Sequence, residues 1–202
     1  MIVFAGPNGS GKSTVVDTAL ALEQCPKVFI CPDNFIAPKD KENVEAYIAA
    51  MQKAESMRYA HIVLGNSFSF ETVLSTASKL EFIRYAKLQG YSVHVVYVTT
   101  ESPAINIERV KIRVAHGGHG VPEEKIVSRY EKSMNLMFDV INEAHSADFY
   151  DNSGDAPLFV ASKIGGVIGV QGNAPLWLES KVLSKARGRG ISIVTITKPS
   201  TN

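Results

Sequence analysis

The sequence is poor in cysteine and in net charge, and it has no long apolar run. Its only two cysteines are Cys25 and Cys31, which do not suit the disulfide framework of a small secreted domain, so we expect a reduced, cytoplasmic protein. No apolar run approaches the length of a membrane span, and we expect no cleavable signal before the first predicted strand. The sequence therefore predicts no membrane partner.

The formal net charge is only +1, which excludes the strong positive field that non-specific binding of nucleic acid requires. We expect no nucleic-acid partner. Residues 181–202 are a local exception, because they carry basic side chains and no acidic ones: Lys181, Lys185, Arg187, Arg189 and Lys198. A solvated basic tail is the favoured interpretation, and an arm that binds a partner or nucleic acid is the alternative.

The length and the apolar content bound the number of domains. The chain has 202 residues, 45% of them hydrophobic, which suits one α/β core and is too short for two ordinary domains. We predict a single domain over residues 1–202, with a lid at about 103–130 and a C-terminal hairpin and tail at about 155–202.

Apolar runs typical of buried parallel strands alternate with segments of helical spacing, which predicts an α/β fold with a doubly wound, mostly parallel sheet flanked by helices. The predicted strands are 2–5, 28–31, 61–64, 92–99 and 148–150, and the predicted helices are 13–23, 41–58, 71–88, 103–115 and 122–144. A β-hairpin over 157–170, a short helix over 175–183 and a β-rich run over 191–197 follow. We expect this last run to pair with the sheet or with another copy.

Residues 6–13 read Gly-Pro-Asn-Gly-Ser-Gly-Lys-Ser, which matches the phosphate-binding loop in full and follows a strand signal directly. The glycines let backbone N–H groups surround phosphates, the lysine reaches the β and γ oxygens, and the serine hydroxyl can ligate Mg²⁺. The pattern predicts a P-loop NTPase, and the absence of an Asn-Lys-x-Asp guanine signature favours ATP over GTP. The predicted nucleotide contacts are Gly6, Pro7, Asn8, Gly9, Ser10, Gly11, Lys12, Ser13 and Thr14, with Ser13 as the metal ligand.

Two acidic residues come shortly after predicted strands, at the sheet edge where ligands bind in this fold class. Asp33 follows the second strand directly, and Pro32 stiffens the chain before it. Asp33 could accept a proton from a substrate hydroxyl or help to hold Mg²⁺, or it could cap the next segment through a turn hydrogen bond. Glu71 lies beyond the third predicted strand near a predicted helix start, where it could bind substrate hydroxyls or only complement the helix dipole.

Arg109 and Arg113 are four residues apart on a predicted helix, so they project from one face, away from its apolar stripe. Arg129 flanks the apolar stripe of the next helix. The glycine-rich loop between these helices could act as a hinge. Arginines on a mobile lid commonly stabilise the charge of a transferred phosphoryl group, and ordinary solvated arginines are the alternative.

Asp151 and Asn152 follow the fifth predicted strand, where they could contact the base or ribose or could form an Asx turn. His116 and His119, in the glycine-rich loop, do not form a plausible zinc site with two distant cysteines. The motifs of protein kinases are absent, which favours a small-molecule acceptor.

Taken together, these motifs resemble those of the zeta toxin family of P-loop kinases. The matching stretches are 5–14, 32–33, 68–75, 106–110, 113–114, 117–119, 121–126, 129–130 and 151–153. The resemblance implies an ATP-dependent kinase that transfers the γ-phosphate to a hydroxyl of a nucleotide sugar, such as UDP-N-acetylglucosamine. It also implies an antitoxin protein as a partner.

The resemblance assigns roles to individual residues. It implies that Asp33 is the base and that Lys12, Arg109 and Arg113 stabilise charge. One of Arg113, His119 and Arg129 would be the second charge stabiliser. The remaining implied contacts are Glu71, Thr72 and His119 to the acceptor, Arg129, Asp151 and Asn152 to the nucleotide, and Ser13 to Mg²⁺.

Two other functions are compatible with the same motifs. The chain could be a nucleotide-dependent switch that binds and hydrolyses ATP and recruits a protein partner through its β-rich tail. It could also be a phosphotransferase that acts on another small molecule or on a nucleic-acid end. A pure switch needs no acceptor pocket, so the role of Asp33 and Glu71 separates it from a kinase.

Overall fold

The structure is a computed structural model that describes residues 1–37, 40 and 43–196. Parts of the predicted elements lie outside the described residues: Lys41 and Glu42 at the start of the second predicted helix, Thr197 at the end of the last β-rich run, and the basic tail from Lys198 onward.

Eight strands form one sheet in the order β2-β3-β1-β4-β5-β6-β7-β8. The strands are β1 (Ile2–Ala5), β2 (Phe29–Ile30), β3 (Ser69–Thr72), β4 (His94–Thr99), β5 (Ser146–Asp151), β6 (Leu158–Ile164), β7 (Val167–Gln171) and β8 (Ser192–Ile196). The first five strands are parallel, β6 pairs antiparallel with β5 and β7, and β8 pairs parallel with β7. The hairpin is confirmed, and the last run pairs with the sheet.

The long helices are α1 (Lys12–Ala21), α2 (Val44–Val63), α3 (Ser78–Leu88), α4 (Pro103–Ala115) and α5 (Glu123–Glu143). Near the C-terminus, α6 (Leu176–Leu178), a π-helical turn (Glu179–Leu183) and α7 (Ser184–Gly188) form a continuous helical segment. Local sequence fixes two helix starts. The Asn43 side chain accepts hydrogen bonds from the N–H groups of Glu45 and Ala46 at the start of α2, and Pro103 occupies the first turn of α4.

Helices cover both faces of the sheet, as a doubly wound fold requires. Because side chains alternate along β1, Phe4 packs with Val16 of α1 in a small cluster, whereas Val3 and Ala5 join the main core on the opposite face. The main core contains side chains from α2, α3, α5 and the C-terminal helical segment, and it continues under β5, β6 and β7. The predicted α/β class is confirmed.

Two predicted elements in the middle of the chain are wrong. The apolar run 61–64 is not a strand but the end of α2, where Ile62 is buried while Val63 is 77% exposed. The third strand is instead β3, which lies partly between the predicted strand and the predicted helix, at Ser69 and Phe70, and partly inside the predicted helix, at Glu71 and Thr72. The predicted helix over 71–88 begins only at Ser78, so Glu71 lies within a strand and is not a first-turn acid.

None of the helices in the described part of the chain is long and apolar enough to cross a membrane.

Candidate functional site

The loop between β1 and α1 curls tightly because its glycines adopt backbone conformations that other residues rarely reach. The φ angles of Gly6, Gly9 and Gly11 are +144°, +77° and +87°. The loop is also crowded from outside. A Cβ on Gly9 would lie 2.5 Å from the Asn106 carbonyl oxygen, and one on Gly11 would lie 2.1 Å from Asn152 Nδ2. The loop therefore has both the backbone shape and the external packing of a rigid phosphate cradle.

Lys12 is the first residue of α1 and is 5% exposed. Its Nζ donates to the Pro7 carbonyl oxygen at 2.8 Å and lies 3.6 Å from Glu71 Oε1. Burial lowers the pKa of Lys12, and the nearby Glu71 carboxylate opposes that shift. Lys12 thus lies inside the loop, held by a weak ion pair and by one carbonyl.

Side chains from three later elements brace the loop. Asn152 Nδ2, after β5, donates to the Ser10 carbonyl at 2.8 Å. Asn106 Nδ2, on α4, donates to the Asn8 carbonyl at 2.7 Å, and Arg129 Nη1, on α5, donates to Asn8 Oδ1 at 3.2 Å. Sequence reasoning missed Asn106 as a site residue, although an asparagine among the inward-facing positions of an amphipathic helix was a usable signal.

The Ser10 hydroxyl is buried, and among the residues that the structure describes it has no hydrogen-bond partner. A buried hydroxyl without a partner is costly unless a ligand completes its hydrogen bonding. Its position inside the loop fits a phosphate oxygen as that ligand.

Asp33 is exposed on a short 3₁₀ helix (Pro32–Phe35) that follows β2 directly. Burial raises the pKa of the neighbouring Cys31 thiol to about 11, and the charges of Asp33, Glu71 and Lys12 also act on it. The four side chains therefore share the same edge of the sheet. This edge is formed by the ends of β2, β3 and β1, as the sheet order predicts.

Thr72 ends β3 and is buried. Its Oγ1 accepts a hydrogen bond from the Leu74 N–H at 3.1 Å, and its carbonyl accepts one from the Gly6 N–H at 3.2 Å. Leu74 has a left-handed backbone, with φ of +56°. Thr72 thus shapes the exit of β3, and its direct contact with an acceptor stays a prediction.

The three arginines lie in different parts of the cleft. Arg109 Nη2 donates to the Gly154 carbonyl at 2.8 Å, beyond β5, while its buried Nη1 has no partner among the described residues. Arg113 is exposed and close enough to Lys12 to lower the pKa of that lysine. Arg129 contacts Asn8, as described above. The α4 helix therefore directs Arg109 toward the β5 side and Arg113 toward the lysine.

The carboxylate of Asp151 has one local partner, Ser153, and one distant partner, Trp177. Oδ1 accepts from the backbone N–H of Ser153 at 2.8 Å and from the Ser153 hydroxyl, and Oδ2 accepts from Trp177 Nε1 at 2.7 Å. This is the Asx-turn alternative that the sequence left open. Sequence reasoning missed Trp177, because its partner lies 26 positions earlier in the chain.

His119 lies in the loop between α4 and α5, and its ring is nearly parallel to that of Tyr47 on α2. The ring centroids are 6.4 Å apart and the planes differ by 12°. Tyr47 was not predicted as a site residue, because nothing in the local sequence separates it from the other aromatic residues of α2. The contact joins the predicted lid to the side of the cleft that carries Asp33.

The described residues contain no group of three or more His, Cys, Asp or Glu side chains arranged to hold a metal ion. Mg²⁺ needs no such group, because it usually binds through one or two protein oxygens together with substrate phosphates and water. Ser13, exposed at the start of α1, is the residue of the loop that would supply such an oxygen.

Comparisons with known proteins identify the relatives of this chain. A profile of the family described as zeta toxin matches residues 1–163. An uncharacterized protein from Haemophilus influenzae is 32% identical over 130 residues, which cover 64% of this chain and 91% of that protein.

Solved structures show the same fold at low identity. One from the PezAT chromosomal toxin-antitoxin system of Streptococcus pneumoniae has a TM-score of 0.55 at 17% identity, over 78% of this chain and 71% of that chain. The AvrRxo1-ORF1:-ORF2 structure with ATP has a TM-score of 0.65 at 16% identity, over 98% of this chain and 65% of that chain. This chain thus spans slightly less than two thirds of that relative's length.

The family profile covers most of the chain, including the phosphate-binding loop, Asp33, Glu71, the three arginines and Asn152. The solved relatives have the same α/β fold. The chain belongs to the zeta toxin family.

Proposed function

We propose that this protein is a phosphotransferase that moves the γ-phosphate of ATP to a hydroxyl of a nucleotide sugar, such as UDP-N-acetylglucosamine. The observation that carries the proposal is the 3.6 Å approach of Lys12 Nζ to Glu71 Oε1. It joins the phosphate-binding loop to a carboxylate on the neighbouring strand, beside Asp33. A switch would need only the loop, whereas this edge also has groups that can bind and deprotonate an acceptor.

The contacts of Lys12 suggest how the site would receive a nucleotide. With bound ATP, Lys12 would exchange the Pro7 carbonyl and Glu71 for the β and γ oxygens, and its burial would strengthen that interaction. Glu71 would then be free to accept hydrogen bonds from acceptor hydroxyls. Nucleotide binding and acceptor binding would therefore be coupled through one ion pair.

In the transfer step, Asp33 accepts the proton of the attacking hydroxyl as its oxygen bonds to the γ-phosphorus and the bond to the ADP oxygen breaks. Lys12 and Arg113 stabilise the charge that spreads over the transferred group, and Arg129 holds the loop through Asn8. The Ser13 hydroxyl would hold Mg²⁺, and the chemistry that the ion would supply when bound is neutralisation of phosphate charge.

A protein that inhibits the kinase is part of the same proposal. The PezAT relative is described as a toxin-antitoxin system, and the AvrRxo1 relative as a complex of two gene products. By analogy, an antitoxin protein would bind this chain and block its cleft.

The test is ³¹P NMR of the protein with Mg²⁺-ATP, with and without UDP-N-acetylglucosamine. We expect a sugar-phosphate resonance that appears only with the acceptor. Lys12→Ala should abolish it, and Asp33→Asn should lower kcat by about 10²- to 10⁴-fold, the usual share of a general base, with ATP affinity nearly unchanged. Asp17→Asn, an exposed aspartate on α1, is the matched control and should retain full activity.

Two results would contradict parts of the proposal. Full turnover of Asp33→Asn would remove its role as the base. Formation of only ADP and phosphate, at a rate that does not depend on the sugar, would favour another acceptor or the switch.

A further inference from the structure

Tyr47 lies in the first turn of α2, next to the segment that carries Asp33. Its N–H donates to the Asn43 carbonyl at 3.0 Å, and the Asn43 side chain caps the helix. The α2 helix packs against the 3₁₀ helix of Asp33. The helix start therefore fixes the position of the Tyr47 ring relative to the proposed base.

Polar and charged groups of the site lie near the Tyr47 hydroxyl, because α2 packs against the 3₁₀ helix that carries Asp33. The pKa of Tyr47 is raised, first because the hydroxyl is partly buried and next because Asp33 is negatively charged; Cys31 and Glu71 act in the same direction, and Arg129 opposes them. These groups come from the ends of β2 and β3 and from α5. Together with the packing of α2 on the Asp33 segment and the ring contact with His119, they place Tyr47 beside the space in which the acceptor hydroxyl would lie.

The Tyr47 ring is also open to a ligand. The residue is 37% exposed, although its nearest aromatic partner, His119, is parallel to it. Aromatic rings that line a cleft beside a few polar groups are typical of small-molecule sites. Here the polar groups are carboxylates that can bind hydroxyls, and the rings offer flat apolar faces.

We propose that Tyr47 is a specificity-determining residue of the acceptor site, and that its ring, with that of His119, selects acceptors whose phosphorylated hydroxyl is on or beside a ring. The inference rests on the proposed kinase function and assigns its selectivity for the acceptor to named side chains. An open-chain alcohol could reach Asp33 but would leave the two aromatic faces without a packing partner.

The size of the expected effect follows from ring packing. A well-placed ring-to-ring contact contributes a factor of up to about ten in affinity. Tyr47→Leu should therefore raise KM for a ring-bearing acceptor by about tenfold, with KM for ATP unchanged. Tyr47→Phe retains the ring, so its KM for the same acceptor should stay within about twofold of the wild-type value. His119→Leu should also raise this KM.

The experiment measures KM and kcat separately, with UDP-N-acetylglucosamine and N-acetylglucosamine as ring-bearing acceptors and glycerol and homoserine as open-chain acceptors. Comparing the two sugar acceptors shows whether the uracil ring or the sugar ring packs against Tyr47. Tyr59→Leu is the matched control, because Tyr59 is on the same helix but packs against Phe82 and Tyr85 instead of the cleft.

The outcomes separate this inference from the kinase proposal. The inference is supported if Tyr47→Leu raises KM for the ring-bearing acceptors only and Tyr47→Phe retains the wild-type KM. If the wild type phosphorylates UDP-N-acetylglucosamine and Tyr47→Leu has the same KM for it, the inference is overturned and the kinase proposal stands. If the wild type phosphorylates only open-chain alcohols, the inference is also overturned, and the protein is still a kinase. A wild type that phosphorylates none of the four would overturn the inference together with its acceptor class.

Discussion

At the scale of single residues, Gly11 shows how the phosphate-binding loop depends on a missing side chain. Its φ of +87° is strained for any other residue, and a Cβ there would lie 2.1 Å from Asn152 Nδ2. Gly11→Ala should destabilise the protein by about 2 kcal/mol or more, because it adds backbone strain and displaces the Asn152 hydrogen bond to Ser10. For a chain of this size the loss is about 4–8 °C in Tm.

Thermal unfolding followed by circular dichroism measures the Gly11→Ala effect. Gly166→Ala is its control, because a Cβ at Gly166 would meet nothing within 4 Å, and its stability should change by less than about 0.5 kcal/mol. Equal melting temperatures for the two variants would contradict the crowded geometry. The sequence predicted the glycines of the loop from their pattern. It did not predict that Asn152 makes Gly11 indispensable, since the hydrogen bond that places Asn152 against the loop joins it to Ser10, 142 positions earlier.

At the scale of elements, the sequence predicted the first and fourth strands, half of the fifth strand and four of the five long helices within a few residues. It displaced the third strand and started α3 too early. The run 61–64 is apolar enough for a buried strand, and only tertiary contacts reveal that two of its residues are exposed. Phe68 lies just before β3 and Phe70 lies within it, and both are buried. The strands β2 and β1 flank β3 on its two sides. Pairing with β2 and β1, and not local composition, therefore determines which segment forms the third strand.

The α4 helix gives the prediction at this scale. Asn106 fastens the helix to the loop through the Asn8 carbonyl, and the same helix carries Arg109 and Arg113. Asn106→Ala should raise KM for ATP by about tenfold, because it removes a buried hydrogen bond and leaves the Asn8 carbonyl without that donor. Steady-state kinetics with varied ATP measures the change. Glu108→Ala, an exposed truncation on the same helix, should behave as the wild type, and equal values for the two variants would refute the fastening role.

At the scale of the whole molecule, the C-terminal strands and helices share one core with the nucleotide-binding half. The main cluster runs from Val3 of β1 through Phe149 of β5 to Ile168 of β7 and Leu178 of α6, without a boundary. A further bond ties the halves together at the site, because Trp177 donates to Asp151, next to Asn152 and the loop it braces. The single domain that length and apolar content predict stays a prediction, which unfolding experiments can test.

A continuous core predicts one cooperative unfolding transition. Trp177 is the only tryptophan and reports on the C-terminal half, while far-UV circular dichroism reports on every helix, so the two signals should share one urea midpoint. Saturation with ATP at about 100 times Kd should move both midpoints together by the same free energy, about 2.7 kcal/mol, since the ligand binds only the folded state. In Lys12→Ala, ATP should no longer shift the urea midpoints, but the tryptophan and circular dichroism midpoints should still coincide. A Trp177 transition that precedes the other and ignores ATP would show that residues 158–196 unfold separately, and it would divide the chain into two units.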